Sequence, residues 1–310
     1  MKIVSVINIK GGVGKTTLTS NLGAYAASQG KRVLMIDLDP QTQLTFSFMT
    51  PEYWRDKYKD SKTLKNYFDP IITGSDEIIS LSDLVIHLNP GNILTFSSGT
   101  LDLISSHLGL IDIDVKLAGL INVQNSTMYS ASFLKTHSYL THSLEEIEND
   151  YDIVLIDCPP TFNTTVKNAI LASDYYIVPA KLDYLSTLGI EELKQNIDIF
   201  TDEYHNHRDN LRDLRYLPVF PAMLGVVPMM AEIRKGDEPV AAQQEYKDEL
   251  TKKGYHIFQF VRNNATLFGP SSKEGIPAIL TRPKFFTLTA KKIVSELQNL
   301  GSEFLQALKI

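Results

Sequence analysis

The sequence predicts an α/β fold, a mostly parallel β-sheet flanked by helices on both faces. Three features carry that expectation. A β-branched run, a glycine cluster and a helical pattern follow one another at the start of the chain. Short apolar runs that end in aspartate recur further on, and helical patterns separate the apolar runs from one another. Strands and helices alternating in this way form right-handed crossovers, and so a parallel sheet buried on both sides.

The elements follow in order. Lys2 to Ile9 (KIVSVINI) reads as the first strand, and Thr16 to Gln29 as a helix with Leu18, Leu22, Tyr25 and Ala26 at helical spacing. Gly30 ends that helix, and Val33 to Ile36 is a second strand running into Asp-Leu-Asp-Pro. Residues 50 to about 145 are less regular, with the only tryptophan, Trp54, a strand-like Asn92 to Phe96 and a helix from Ser130 to Asn149. Asp152 to Ile156 is a buried-type strand ending at Asp157. A helix near Thr165 to Ala172 and a strand from Tyr175 to Val178 follow. A long helical pattern from Gly189 to about Tyr204 puts Leu193, Ile197 and Phe200 on one face. Leu224 to Val227 and His256 to Phe260 read as further strands. Ile293, Leu297, Leu300, Phe304 and Leu308 mark a terminal helix that packs on the core rather than on a membrane. No repeat, linker or low-complexity break appears, so a single domain over residues 1–310 with an elaborated middle is expected.

Composition narrows the function. With 43% apolar and 21% charged residues and a net charge of −6, the chain can bury a substantial core and is not a nucleic-acid packaging protein. Its one cysteine, Cys158, allows neither an intrachain disulfide nor a thiolate cluster, and the seven histidines are scattered. The longest uncharged apolar stretch, Leu217 to Ala231, contains Pro218, Pro221 and Pro228 and is too short to span a bilayer. The N-terminus has no signal-peptide pattern, so a cytoplasmic protein without a membrane partner is expected.

Lys10 to Thr17 reads KGGVGKTT between a strand and a helix. Gly11, Gly12 and Gly14, with Val13 between them, let backbone N–H groups approach an anion, and the following helix adds its N-terminal partial charge. Lys15 supplies an ammonium to the β/γ-phosphates, and Thr16, followed by Thr17, places a hydroxyl for Mg²⁺. A dinucleotide fold also has glycines here, but Gly12, Gly14 and Thr17 depart from its spacing. A lysine–threonine pair suits a triphosphate with a metal, so phosphoryl chemistry is favoured over hydride transfer. Asp37 and Asp39 end the second strand, and Asp157 should lie beside them at the carboxyl edge of the sheet.

The chain resembles the ParA/MinD family of deviant Walker A P-loop ATPases, and most closely the ParA (Soj-like) branch. The residues are KGGVGKTT at 10–17, VLMIDLDPQ at 33–41, YDIVLIDCPP at 151–160, YYIVPAKLDYLSTLGIEEL at 175–193 and FVRNNATLFGPSSKEGIPAIL at 260–280. The resemblance implies a Mg²⁺-dependent ATPase that forms an ATP-sandwich homodimer, with Lys10 reaching the partner's phosphates. It further implies that Asp37 holds Mg²⁺ through water, that Asp39 positions or deprotonates the attacking water, and that Asp157 stands in the metal's outer sphere. Val227, Pro228 and Met229 would lie near the adenine. The branch binds DNA nonspecifically in the ATP state, a ParB-like partner stimulates hydrolysis, and nucleoid association would follow. Residues 262–310 carry seven basic residues against three acidic, and Arg208, Arg212 and Arg215 form a second cluster. A MinD-like positioning ATPase, a tyrosine kinase with a tyrosine-rich tail and a metabolic ATP-dependent ligase share the fold. The last tyrosine is Tyr255, which argues against the kinase. The first strand begins at Lys2, so the N-terminal DNA-reading domain of some plasmid relatives is not expected.

Overall fold

The computed structural model describes residues 1–76, 79–88, 99–233, 238–264, 267–268, 275–280 and 287–310. The strand expected at Asn92 to Phe96 lies outside them. Eight strands form one sheet: β1 (Lys2–Val6), β2 (Arg32–Asp37), β3 (Ile86–His87), β4 (Thr100–Ile104), β5 (Ile153–Asp157), β6 (Tyr175–Ala180), β7 (Ala222–Ala231) and β8 (Val261–Arg262). Their spatial order is β3-β4-β2-β5-β1-β6-β7-β8, and every pairing is parallel except β3 with β4.

Alternate residues of each strand serve two separate cores, as a sheet buried on both faces requires. On one face Val33 and Met35 of β2 pack with Leu18 and Leu22 of α1 (Lys15–Ser28). The terminal helix, Leu288–Leu308, joins them through Ile293, Leu300 and Phe304, all fully buried. On the other face Leu34 and Ile36 meet Phe68, Phe133, Ile170 and Phe200 from helices between residues 64 and 211. The middle segment thus contributes β3 and β4 to the common sheet and several helices to one of its faces.

Two elements differ from the sequence expectation. The helix expected over Ser130 to Asn149 is two, Ser126–His137 and Tyr139–Glu145, with a break at Ser138. Asn168, buried on the helix Thr164–Ala172, holds the break open. Its Nδ2 donates to the Thr136 carbonyl at 2.9 Å, and its Oδ1 accepts from the Leu140 amide at 3.4 Å. The strand expected at His256 to Phe260 reduces to one bridge between Ile257 and Val226 before β8. The long helix, in turn, begins at Tyr184, earlier than its apolar stripe suggests, because the Asp183 side chain caps it by accepting from the Ser186 amide.

Gly301 marks where the terminal helix crosses α1. A Cβ there would stand 2.4 Å from the ring of Tyr25, so the two helices can approach only over a glycine. Gly301→Ala should therefore destabilise the protein by about 1–3 kcal/mol. A glycine inside an exposed helix would instead gain about 1 kcal/mol from the same change. Urea unfolding decides, and a stabilised variant would show that the helices do not meet there.

Candidate functional site

The chain leaves β1 toward β2 on one side, while β5 connects to β6 on the other. The loop after β1 therefore sits where the sheet's winding reverses, at its carboxyl edge. Asn8 ties this loop to the sheet. Its Nδ2 donates to the Pro179 carbonyl at 2.9 Å, and its Oδ1 accepts from the Lys10 amide at 2.9 Å. Gly12 (φ 68°) and Gly14 (φ 92°) take left-handed backbone that favours glycine. A Cβ at Gly14 would also stand 3.0 Å from the Met229 methyl. The loop ends where α1 begins at Lys15, so free N–H groups of the first helical turn face the cleft.

Residues 11–17, Asp39, Gln41 and Met230 line a cleft of about 330 Å³. A second cavity of about 300 Å³ shares Thr16, Thr17 and Gln43 with it and continues along α1 past Asn21 to Phe268 and Pro277. Asn21 holds that wall in place, its Oδ1 accepting from the Ile279 amide at 2.9 Å. Val227, Pro228 and Met229 are all buried, with Met229 packed beneath the loop; the residue of β7 that reaches the cleft is Met230, in left-handed backbone at φ 57°. Nothing in the sequence singled out Met230.

The carboxylates meet as the strand ends suggested. In the parallel register Asp37 stands opposite Asp157 on the neighbouring strand. Both are almost completely buried. Asp157 accepts from the Thr16 hydroxyl at 2.7 Å and the Thr19 hydroxyl at 3.1 Å. Asp37 is turned toward Thr45, accepting from its amide at 2.8 Å and its hydroxyl at 2.7 Å. Thr19 and Thr45 were not singled out from sequence; both carry hydroxyls close to candidate motifs, which was their only signal. Asp39 lies half-buried at the rim, its Oδ1 accepting from the Gln41 amide at 2.9 Å.

Burial shapes the charges. It pushes Asp157 up to about 7, against the two threonine hydroxyls and with a further rise from Asp39. Burial first and the Asp157 charge second hold Asp37 well above the usual carboxylate range, while Thr45 opposes them. Lys15 is lowered by burial, with Asp157 the chief opposing charge, and its ammonium donates to the Asn8 carbonyl at 3.1 Å. Lys10 does not line its own cleft. Its ammonium lies 3.0 Å from each oxygen of Asp183. Among the described residues no group of three or more His, Cys, Asp or Glu side chains could hold a metal by itself.

The model of the AAA domain family matches residues 1–211. The chain is 29% identical over 208 residues to an uncharacterised protein of Mycobacterium tuberculosis, covering 67% of this chain and 55% of that protein. It is 28% identical over 196 residues to the sporulation initiation inhibitor protein Soj of Bacillus subtilis, covering 63% of this chain and 64% of Soj. The chain thus spans between half and two thirds of the length of these curated relatives. Among solved structures, an ATP complex of a Cyanothece McdA variant superposes with a TM-score of 0.66 at 20% identity, covering 100% and 97% of the two chains. A cobyrinic acid a,c-diamide synthase of Mycobacterium smegmatis with bound ATP analog and magnesium superposes with a TM-score of 0.64 at 19% identity, covering 100% and 96%. At these identities the likeness is one of fold.

Asp157 binds a proton in the folded chain up to about pH 7, whereas the unfolded chain releases it near its ordinary value of 3.8. The folded state therefore holds more protons through that window, and stability falls as pH rises across it. Between pH 5 and pH 8 in the absence of nucleotide, the protein should lose on the order of 2–4 kcal/mol relative to its Asp157→Asn variant. Parallel pH profiles in urea unfolding would show that Asp157 titrates as an ordinary carboxyl.

Proposed function

The chain belongs to the AAA domain family in its ParA/MinD form, and from that premise we propose that it is a Mg²⁺·ATP-dependent dimerising switch for DNA partition or positioning. One observation carries the reading: the phosphate loop bears two lysines with different destinations. Lys15 is buried within the loop, suited to the phosphates of its own cleft, whereas Lys10 points out of that cleft altogether. A cation at the rim can meet a second copy's nucleotide, where it offsets repulsion between two facing triphosphates.

The rim fits closure by another copy. Tyr184, Leu185 and Leu188 are exposed beside Lys10, and Leu108, Ile111 and Val115 are exposed beyond Ser106, whose hydroxyl donates to the Asp39 carbonyl. Exposed apolar residues on both flanks of a polar cleft suit a partner surface. The Thr16 hydroxyl with the Asp157 and Asp37 carboxylates forms an all-oxygen set of the kind Mg²⁺ takes, since that ion uses one or two protein oxygens and leaves the rest to phosphate and water. When bound, Mg²⁺ would neutralise charge on the phosphates. Asp39 would orient the attacking water, and the ribose and base would extend past Thr17 into the second cavity toward Phe268. No arginine lines the cleft among the described residues, so turnover by the protein alone would be slow and would rise when a ParB-like partner completes the site.

Two features bear on the output. Ile293, Leu300 and Phe304 are buried, so the apolar stripe of the terminal helix is not free to lie on a membrane, and among the described residues no helix is long and apolar enough to cross one. The basic clusters are smaller than the residue count suggests. Arg262 is largely covered and pairs with Glu296, and Arg208 and Arg215 pair with Asp209 and Asp213. Lys273, Arg282 and Lys284 lie outside the described residues. Lys291 and Lys292, exposed on the terminal helix, and Lys309, exposed just after it, are the other described basic residues near that end.

Lys15→Ala should weaken Mg²⁺·ATP binding by about two orders of magnitude or more, as loss of a buried charge partner does. Lys10→Ala should still bind nucleotide but fail to dimerise, and Asp39→Ala should accumulate as an ATP-bound dimer. Calorimetry and light scattering check the three, and a Lys10→Ala protein that dimerises and turns over normally removes the role in trans.

DNA binding should require ATP, ignore base sequence and fall about a thousandfold between 50 and 200 mM salt if some six phosphates are contacted. Lys291→Glu with Lys292→Glu should weaken it further. A gel-shift titration in which the ATP-bound dimer shows no salt-sensitive affinity ends the partition reading and leaves a protein-scaffold or metabolic ATPase.

A further inference from the structure

Lys10 does not hang free at the rim. Its ammonium donates to both oxygens of Asp183 at 3.0 Å and to the Ser186 hydroxyl at 3.1 Å, three acceptors for three N–H groups. The acceptors are fixed in turn. Asp183 caps the long helix Tyr184–Leu211 by accepting from the Ser186 amide at 2.8 Å, and Ser186 is buried. The backbone at the base of the lysine is held as well: its amide donates to Asn8 Oδ1 and its carbonyl accepts from Lys15. Burial raises the Asp183 carboxyl, but the Ser186 groups and the Lys10 ammonium outweigh it and hold it below the usual range.

A lysine with all three donors engaged by its own protomer cannot also serve another copy. We infer that Asp183, with Ser186, is a positioning site that holds Lys10 in cis and competes with its use in trans, so that it sets the threshold for ATP-dependent dimerisation. This inference rests on the role proposed for Lys10 above. The pair is partly exposed, at 35% and 43% for the two side chains, which makes it a weak restraint rather than a lock. Such pairs bias an equilibrium by a factor of about two to five. A two-fold dimer must open two of them, so the dimerisation constant carries the square, roughly four- to twenty-five-fold. Because the pair reaches solvent, salt should loosen it.

The discriminating variant is Asp183→Asn, which keeps a side chain that caps the helix equally well and removes only the charge. Two measurements follow, with thermal unfolding as the check that the fold is kept. In the first, protein without nucleotide is treated with limiting N-hydroxysuccinimidyl acetate. Mass spectrometry then gives the rate of Lys10 acetylation relative to that of exposed Lys57. Lys10 should react severalfold faster in Asp183→Asn than in the parent protein, and an unchanged ratio refutes the contact. In the second, light scattering with ATP and Mg²⁺ gives the protein concentration at half-dimerisation. That midpoint should fall by roughly four- to twenty-five-fold in Asp183→Asn, the gain should shrink at 0.5 M salt, and Asp183→Asn should restore no dimer to Lys10→Ala, which stays monomeric. A merely structural cap predicts no gain at all. Faster acetylation with an unchanged or raised midpoint refutes the competition while leaving the switch intact. A parent protein that stays monomeric with ATP refutes the switch, and the competition with it.

Discussion

Two carboxylates buried side by side are the constraint around which this end of the molecule is arranged. The parallel pairing of β2 with β5 puts Asp37 opposite Asp157, and strands this apolar leave both without water. An unpaired buried charge costs several kcal/mol, so each oxygen needs donors supplied by the chain. Thr16 and Thr19 on one turn of α1 supply one to each oxygen of Asp157, while Thr45 supplies two to one oxygen of Asp37 and the Asp39 amide one to the other. These donors are neutral hydroxyls and two backbone amides rather than arginines or lysines. The carboxylates therefore stay poorly compensated, Asp157 titrates near 7, and a cation placed beside them would gain what the protein leaves unsatisfied.

The loop's cations obey the same bookkeeping. Lys15 loses hydration inside the loop and recovers part of it from the Asn8 carbonyl, while Asp157 favours its charged form. Lys10, a few residues earlier, stays near solvent and finds a carboxylate on another element. Burial thus sorts two chemically identical side chains. On the proposed reading, the inner lysine serves the nucleotide of its own cleft, and the outer one is held by a contact weak enough to exchange.

Much of this was legible because the informative residues are contiguous. KGGVGKTT places glycines, ammonium and hydroxyl within one loop, and an apolar strand ending in aspartate marks Asp157 without reference to anything distant. The parts that were not legible depend on residues that meet only in the fold. Thr19 and Asp157 are 138 positions apart, and Lys10 and Asp183 are 173 apart. The break at Ser138 has no local cause such as proline or glycine; it depends on a buried asparagine from another helix. Charge counting failed at Arg262 for a related reason, since a positive residue in the sequence is not a positive surface when Glu296 covers it.

The topology links these observations. Because every strand but one among the described residues runs the same way, the loops after β1, β2, β4, β5 and β6 all open at one edge. That edge collects the phosphate loop, all three aspartates, the cap of the long helix and both exposed apolar flanks. On the proposed reading, a second copy that closes over this edge would bury apolar residues at the rim while it brings like charges together at the centre. The first effect favours closure whatever the cleft contains, and the second opposes it unless cations cross. A switch requires that balance to depend on nucleotide, which is possible only if the apolar flanks are too small to close the dimer by themselves. Partly exposed side chains scattered over separate elements meet that requirement where a continuous apolar face would not.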